Sequence, residues 1–357
     1  MLITELQCGS IYLAKSDEDM VELDSMYKIG KENNEDVRKI DVSEIRRMEP
    51  NLNTTNVRAG LFSPNEYVVD PFLLPLSNLY TALELGCKLK TKSKVIEIEE
   101  LNKNGEKIMV VFTQSLIGNK TYMDQYLTRK VINCAGNYSD EADKLFKENK
   151  QNKEHFDITP GKGEYVVYTS LPLVQYPLTN GMVNCIPTKT FAGPYMYCSV
   201  YGDFVVGPTK ITQKSKMDRE CSDSSIQFLK NYAKKHFVSL LNDGQCSFET
   251  YSGLRPQDLK NVDYDIKFGR NNNWVTIGAI RSTGLTASRA IAQYVVKKLY
   301  PDYDRLPKSD EITMPPPQAK SNNKWKVGRY VFTATHKLSV LGVRSQWIGN
   351  ERSKSNL

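Results

Sequence analysis

The 357 residues predict a mixed α/β fold, in which strand–turn–helix units of a parallel layer are interleaved with an antiparallel sheet. Three observations predict it. Residues 273–298 read as a short apolar strand, a glycine-marked loop and an amphipathic helix. Residues 127–140 repeat the strand-to-helix pattern through small residues. Between these two units, residues 157–209 alternate apolar and polar positions across turns rich in Gly, Pro and Asn, as antiparallel strands do.

A chain of this length buries one large core or two ordinary ones, so two domains are expected. The 40% hydrophobic and 25% charged residues are ordinary for a soluble globular protein. The net charge of +7 is spread through Lys-rich stretches such as 88–94, which read as solvated faces. No segment interleaves basic residues with exposed aromatics, so no nucleic-acid partner is expected. No apolar run approaches the ~18 residues of a transmembrane segment, and Met1 is not followed by a signal-peptide apolar core. Cys8, Cys87, Cys134, Cys185, Cys198, Cys221 and Cys246 occur singly, which suits reduced thiols of an intracellular protein, cytoplasmic or mitochondrial. His155, His236 and His336 are too far apart in sequence to suggest a metal site. His236 sits on a Lys-rich helix, where a surface position is expected rather than a general base.

Taken in order, residues 7–14 read as a strand. Ser16-Asp17-Glu18-Asp19 then caps a helix over 20–31, with acids in its first turn. Residues 41–45 begin a short helix that ends at Glu49-Pro50, and 61–70 read as a turn-rich loop. Pro71 is tolerated in the first turn of a helix over 71–85, which Gly86 ends. Strands follow at 88–99 and 106–113 as a hairpin. Val131 and Ile132 end a buried strand, and a helix starts near Ser139. In the turn between, Ala135 and Gly136 are small enough for backbone to approach a ligand closely. Cys134 reads as a small buried residue, not a nucleophile.

Strands at 164–168, 182–186, 195–200 and 204–206 form the antiparallel part, one face of which can bound a substrate cavity between domains. Residues 222–241 are an amphipathic helix with Ile226, Leu229, Phe237 and Leu240 apolar, and 249–257 a strand and turn. Arg255, before Pro256, reads on its own as a surface arginine. Trp274–Ile277 is a buried strand, Gly278 and Gly284 mark a loop, and Ser282 or Thr283 is placed to cap the helix from Leu285. Such a unit presents backbone N–H groups and the positive end of a helix dipole to an electron-rich group. Spacing alone fits a plain βα turn of any α/β protein equally well. Beyond Pro301, 314–317 read as a linker-like break, 330–341 as an added strand, and the tail from Gly349 as disordered.

The wording of 278–292, GAIRSTGLTASRAIA, closely resembles the C-terminal flavin-contacting segment of FAD-dependent oxidoreductases of the amino-acid-oxidase type. Within them it looks most like the branch with flavin-linked glycerol-3-phosphate dehydrogenases and L-2-hydroxyglutarate oxidases. Further matching stretches are Leu13-Ala14 with the acidic helix and Glu49-Pro50-Asn51-Leu52, Val69-Asp70-Pro71 through Ile98, Asn133 to Asp140, Pro160 to Tyr165, and Val205 to Thr209. They cover about residues 1–300.

The resemblance implies a Rossmann-like FAD-binding domain lacking its first βαβ unit, interleaved with an antiparallel substrate domain. The implied substrate-domain parts are 1–70 and 155–248, the cofactor-domain parts 71–150 and 249–300, and 301–357 an extension. It also implies FAD as cofactor, held by Ala135, Gly136, Gly278, Ser282, Thr283, Gly284, Leu285 and Thr286. Arg255 and Arg281 are implied at a small anionic substrate, whose carbon bearing hydroxyl or amine gives a hydride to the flavin. Neither the catalytic base nor the electron acceptor is assigned. No Cys follows Cys246, so the iron–sulfur module of some relatives is not expected.

No G-x-G-x-x-G occurs in the sequence; Gly161-Lys162-Gly163 comes nearest, without a third glycine or a following helix. The expectation is therefore a piece of a longer protein that purifies without flavin, the alternative being a cofactor-free remnant that acts as a binding or scaffold protein.

Overall fold

The computed structural model describes residues 5–146, 156–170, 177–187, 193–237, 246–269, 272–305, 312–321, 323–336 and 338–340. The first stretch gives β1 (Glu5–Gln7), β2 (Ser10–Ala14), α1 (Asp17–Glu32), β3 (Arg38–Ile40), α2 (Val42–Met48), β4 (Ala59–Ser63) and β5 (Tyr67–Val69). A capping box starts α1: the Asp19 N–H donates to Ser16 Oγ and the Ser16 N–H donates to the Asp19 carboxylate, both at 3.1 Å. The turn-rich loop read over 61–70 is instead two strands. Leu61 and Val68 are buried, and only Pro64–Glu66 remain for the turn.

α3 (Leu73–Glu84) begins later than Pro71, because the Asp70 carboxylate accepts the N–H groups of Phe72 at 2.7 Å and Leu73 at 2.8 Å. β6 (Ser93–Lys103), β7 (Glu106–Ile117) and β8 (Lys120–Thr128) form an antiparallel meander. The sequence hid β8, since its side chains are exposed on both faces and leave no alternation to read. β9 (Val131–Asn133) leads through a 3₁₀ turn at Gly136–Tyr138 into α4 (Ser139–Leu145).

A nine-stranded sheet dominates the molecule. To β2, β4 and β3 it adds β10 (Gly161–Ser170), β11 (Met182–Cys185), β12 (Tyr195–Cys198), β13 (Phe204–Gly207), β14 (Ile211–Thr212) and β15 (Ser247–Arg255). Its pairings are antiparallel except β11 on β2. α5 (Asp223–His236) buries Leu229, Ala233 and the following Phe237 against Val166, Phe204 and Val206 of the sheet. The helix read over 222–241 is described only to that point; Leu240 lies outside the described residues.

β16 (Asp265–Phe268) and β17 (Trp274–Gly278) pair antiparallel, and β17 pairs parallel with β9. α6 (Gly284–Leu299) packs Val295 and Leu299 on Val275. The break read at 314–317 opens onto a third small sheet, β18 (Gln318–Ser321), β19 (Lys324–Val327) and β20 (Tyr330–Thr333). The strand read over 330–341 thus ends at Thr333, and the tail from Gly349 lies outside the described residues. Trp325 and Val327 of β19, with Met314, bury the apolar face of α3 at Leu73, Leu76 and Tyr80.

Candidate active site

Glycines in β10 make room for two polar side chains from the end of β15. A Cβ on Gly163 would stand 2.5 Å from Arg255 Nη2, and one on Gly161 would stand 3.0 Å from the Gln257 amide. The bare strand therefore lets Arg255 and Gln257 lie across it. The near-miss to a phosphate loop at Gly161-Lys162-Gly163 is thus a platform for an arginine. Arg255 donates to Thr209 O at 3.3 Å and Gly161 O at 3.5 Å. Tyr165 stacks on Tyr251 at 4.5 Å, and burial pushes its hydroxyl up against the opposing pull of Arg255.

The second half of the site comes from the parallel pair β9 and β17. Parallel strands release their chains at the same end, so the turns after Asn133 and Gly278 leave side by side, where open α/β sheets bind ligands. The loop after β17 is wound tightly: Ala279 and Arg281 have φ of 51° and 56°. Left-handed backbone at non-glycine residues costs on the order of 1–3 kcal/mol each and persists only where the surroundings hold it. Here the Arg281 N–H donates to Pro256 O at 2.8 Å, and Arg281 Nη2 donates to Asp258 O at 3.2 Å and to Asn261 O. Arg281 Nε is buried without a partner.

Neither Ser282 nor Thr283 caps the following helix. Thr283 is the N-cap residue of α6, yet its backbone is not extended and its hydroxyl bonds the Tyr264 hydroxyl instead. The first turn of α6, with Leu285 and Thr286 exposed, therefore has no side-chain cap. Gly278 answers an internal need, since a Cβ there would meet the Phe156 ring at 2.7 Å and Ser139 Oγ at 3.1 Å. Gly284 would crowd Ile280 at 3.3 Å. At Gly136 the φ is +58° and a Cβ would meet nothing within 4 Å, which leaves that face of the turn open. Ala135 beside it is exposed, with its N–H donated to Asn133 Oδ1 at 3.1 Å.

Between the β10–β15 platform and this loop lies a cavity of about 570 Å³. It brings together Arg255, Arg281, Ser282 and Thr283, while Ala135, Gly136, Gly278, Gly284, Leu285 and Thr286 lie outside its lining. Sequence reasoning missed the third cation, Lys210, and the tyrosines Tyr165, Tyr195 and Tyr197 that share the wall. The spacing of Tyr195 and Tyr197 two apart on a strand was the one available signal that both face the same side. Among the described residues no carboxylate lines the cavity. Two other expectations fail in the structure. His236 is 2% exposed rather than a surface residue, because α5 turns its last helical position onto the sheet and into contact with Lys15. Cys134 is exposed, because it sits in the open turn after β9 rather than in the strand. Among the described residues no helix is long and apolar enough to cross a membrane.

The two adjacent turns suit a flat, electron-rich group such as a flavin: small residues, an open glycine face and helix N–H groups free of side-chain caps lie together. A glycine cradle for a pyrophosphate is not among these residues.

The model of the family described as FAD dependent oxidoreductase matches residues 3–298. The chain is 25% identical over 293 residues to a glycerol 3-phosphate dehydrogenase of Caloramator mitchellensis, covering 81% of this chain and 55% of that protein. It is 27% identical over 268 residues to a glycerol 3-phosphate oxidase of Mycoplasma pneumoniae, covering 75% of this chain and 65% of the relative. The chain thus spans little more than half to two thirds of the length of these relatives. Among solved structures, the dithionite-reduced L-alpha-glycerophosphate oxidase from Mycoplasma pneumoniae with FAD bound superposes with a TM-score of 0.71 at 24% identity, covering 83% of this chain and 74% of that one. With the fold, the paired turns and a family match over most of its length in agreement, the chain belongs to the FAD dependent oxidoreductase family.

Proposed function

We propose that the chain carries the substrate side of an oxidoreductase that oxidises a small anionic hydroxy or amino compound, of the glycerol 3-phosphate or 2-hydroxy acid kind. The observation that carries this reading is the cavity wall, where Arg255, Arg281 and Lys210 stand with no carboxylate among the described lining residues. Three cations around about 570 Å³ favour a ligand that brings negative charge. A guanidinium fork suits phosphate or carboxylate, and the two arginines approach from the sheet and from the loop as two sides of a clamp. The similarity to the Caloramator glycerol 3-phosphate dehydrogenase and the Mycoplasma glycerol 3-phosphate oxidase supports a phosphate ester.

Ala135, Gly136, Gly278, Ser282, Thr283, Gly284, Leu285 and Thr286 would hold FAD through backbone and small side chains. Residues 1–70 and 155–248 then form the substrate domain, and 71–150 and 249–300 the cofactor domain. When bound, the flavin supplies the hydride acceptor. The protein's own groups orient the substrate and exclude water. Burial raises the Tyr165 and Tyr197 hydroxyls, so near neutral pH they donate hydrogen bonds to substrate oxygens rather than remove protons.

The test is steady-state turnover of the FAD-loaded protein on a panel of glycerol 3-phosphate, 2-hydroxyglutarate and uncharged glycerol. Turnover of an anionic substrate with little or none of glycerol is expected. Equal kcat/KM for glycerol and its phosphate would overturn the reading.

A further inference from the structure

Away from the cavity, four reactive side chains meet where β2, β11 and α5 end. Lys15 Nζ lies 2.7 Å from His236 Nε2, and the Cys185 sulfur lies 3.4 Å from the same nitrogen. The other ring nitrogen, Nδ1, is 2.8 Å from Tyr232 O. A carbonyl only accepts, so Nδ1 carries the hydrogen and Nε2 offers a single lone pair. Burial and the neighbouring Lys15 push His236 down to about 4, which keeps the ring neutral. The Tyr232 hydroxyl is buried, faces Cys185, and is pushed up by burial and by that sulfur, so it too is a donor. Burial pushes Lys15 down as well; Lys235 opposes the charge on Lys15 and on His236, while Cys185 and Asp19 support it on Lys15.

The hydrogen-bond count does not balance if the sulfur is a donor. Lys15 and a Cys185 thiol would then compete for one lone pair on Nε2, and the buried Tyr232 hydroxyl would be left without an acceptor. A sulfur that accepts from Tyr232, leaving the Nε2 lone pair to Lys15, removes the shortage. Cys185 is also partly exposed, so small reagents reach it. It does not line the cavity, and oxidation at the flavin makes no use of it.

We propose that Cys185 is a modification site: a nucleophilic thiol, set up by His236, Lys15 and Tyr232, that reacts with a hydroperoxide. The thiol proton passes by way of His236 Nε2 to Lys15 as Lys15 gives up a proton of its own, so the ring ends neutral as it began. The sulfur's electron pair attacks the terminal peroxide oxygen, and the S–O bond forms as the O–O bond breaks. The departing oxygen takes a proton from Lys15 and leaves as water or an alcohol. The sulfur loses two electrons, the peroxide gains them, and Cys185 becomes a sulfenic acid. Hydroxide and alkoxide leave poorly without a proton, and the ammonium at hand supplies one.

The experiment treats the intact protein with hydrogen peroxide, traps sulfenic acid with dimedone, and follows each cysteine peptide by mass spectrometry. Exposed Cys87 is the internal reference. Cys185 is expected to label about tenfold faster than Cys87, and Lys15→Met to bring it down to the Cys87 rate. A wild-type Cys185 that labels no faster than Cys87, or a rate untouched by Lys15→Met, overturns the proposal. Should Lys15→Met fail to fold, Tyr232→Phe keeps the ring and removes the hydroxyl; slower labelling supports the site and an unchanged rate refutes it.

Discussion

At the scale of single residues, Arg281 carries the sharpest consequence. It joins the loop after β17 to the cavity, and its left-handed φ of 56° is held by Pro256, Asp258 and Asn261 carbonyls. A charge-assisted hydrogen bond contributes about 1.5–3 kcal/mol, so Arg281→Lys should lower kcat/KM for anionic substrates by roughly 10- to 100-fold. In a longer protein that holds the flavin, its absorbance should stay unchanged. Gly163→Ala is a subtler probe of the opposite wall. Its Cβ would sit 2.5 Å from Arg255 Nη2 and 2.9 Å from Pro208 Cβ, so Arg255 must shift and the rigid proline ring is crowded as well. KM for the anionic substrate should rise several-fold, with a lower melting temperature from the crowded Pro208 ring.

Glu49 makes a separate prediction about pH. It is 1% exposed, and burial pushes its carboxyl up to about 7 despite the Asn180 and Gly181 N–H groups it accepts. Since the folded value lies above the unfolded one, the folded state binds more protons between about pH 4.5 and 7. Glu49 therefore favours folding most at the acid end, and that stabilisation is lost as pH rises through 7. The effect is on the order of 3 kcal/mol. Thermal unfolding from pH 5 to 8 should show the decline, and Glu49→Gln should flatten it. Much of this scale was illegible beforehand. The two arginines stood out in the sequence, but Lys210, Glu49 and the burial of His236 depend on which strand each segment pairs with, and no local pattern reports that.

At the scale of elements, strongly periodic segments were readable and weakly patterned ones were not. The strand at 274–277 and the helix from Leu285 stand where periodicity placed them. The exposed β8 and the short β16 left no pattern, and Pro71 drew attention from the Asp70 carboxylate that starts α3. The small C-terminal sheet was legible only as one strand, because its apolar residues face α3 rather than one another. Trp325, 1% exposed, is the keystone of that contact. Trp325→Ala should cost about 3–5 kcal/mol, seen as a lower denaturant midpoint. The same element reaches the cavity wall indirectly. His336 packs on Tyr251 at 4.8 Å, and Ser339 donates to Asp70 just past β5. Loosening it should therefore raise KM as well as lower stability.

For the whole molecule, the family was legible in the wording of residues 278–292, a more specific signal than their spacing. The arrangement of the nine-stranded sheet was not, since it joins strands far apart in sequence: β2 lies beside β11, and β10 beside β15. That long-range pairing is what carries Arg255 across Gly163 and sets it opposite Arg281. The account's central claim is that this junction is an anion site. Calorimetric titration of the FAD-loaded protein and its Arg255→Gln variant with glycerol 3-phosphate tests it most directly. The account predicts binding to the parent, weakened about tenfold or more in the variant, and no comparable binding of glycerol. Equal affinity for the phosphate ester in both proteins, or equal affinity for glycerol and its phosphate, would contradict it.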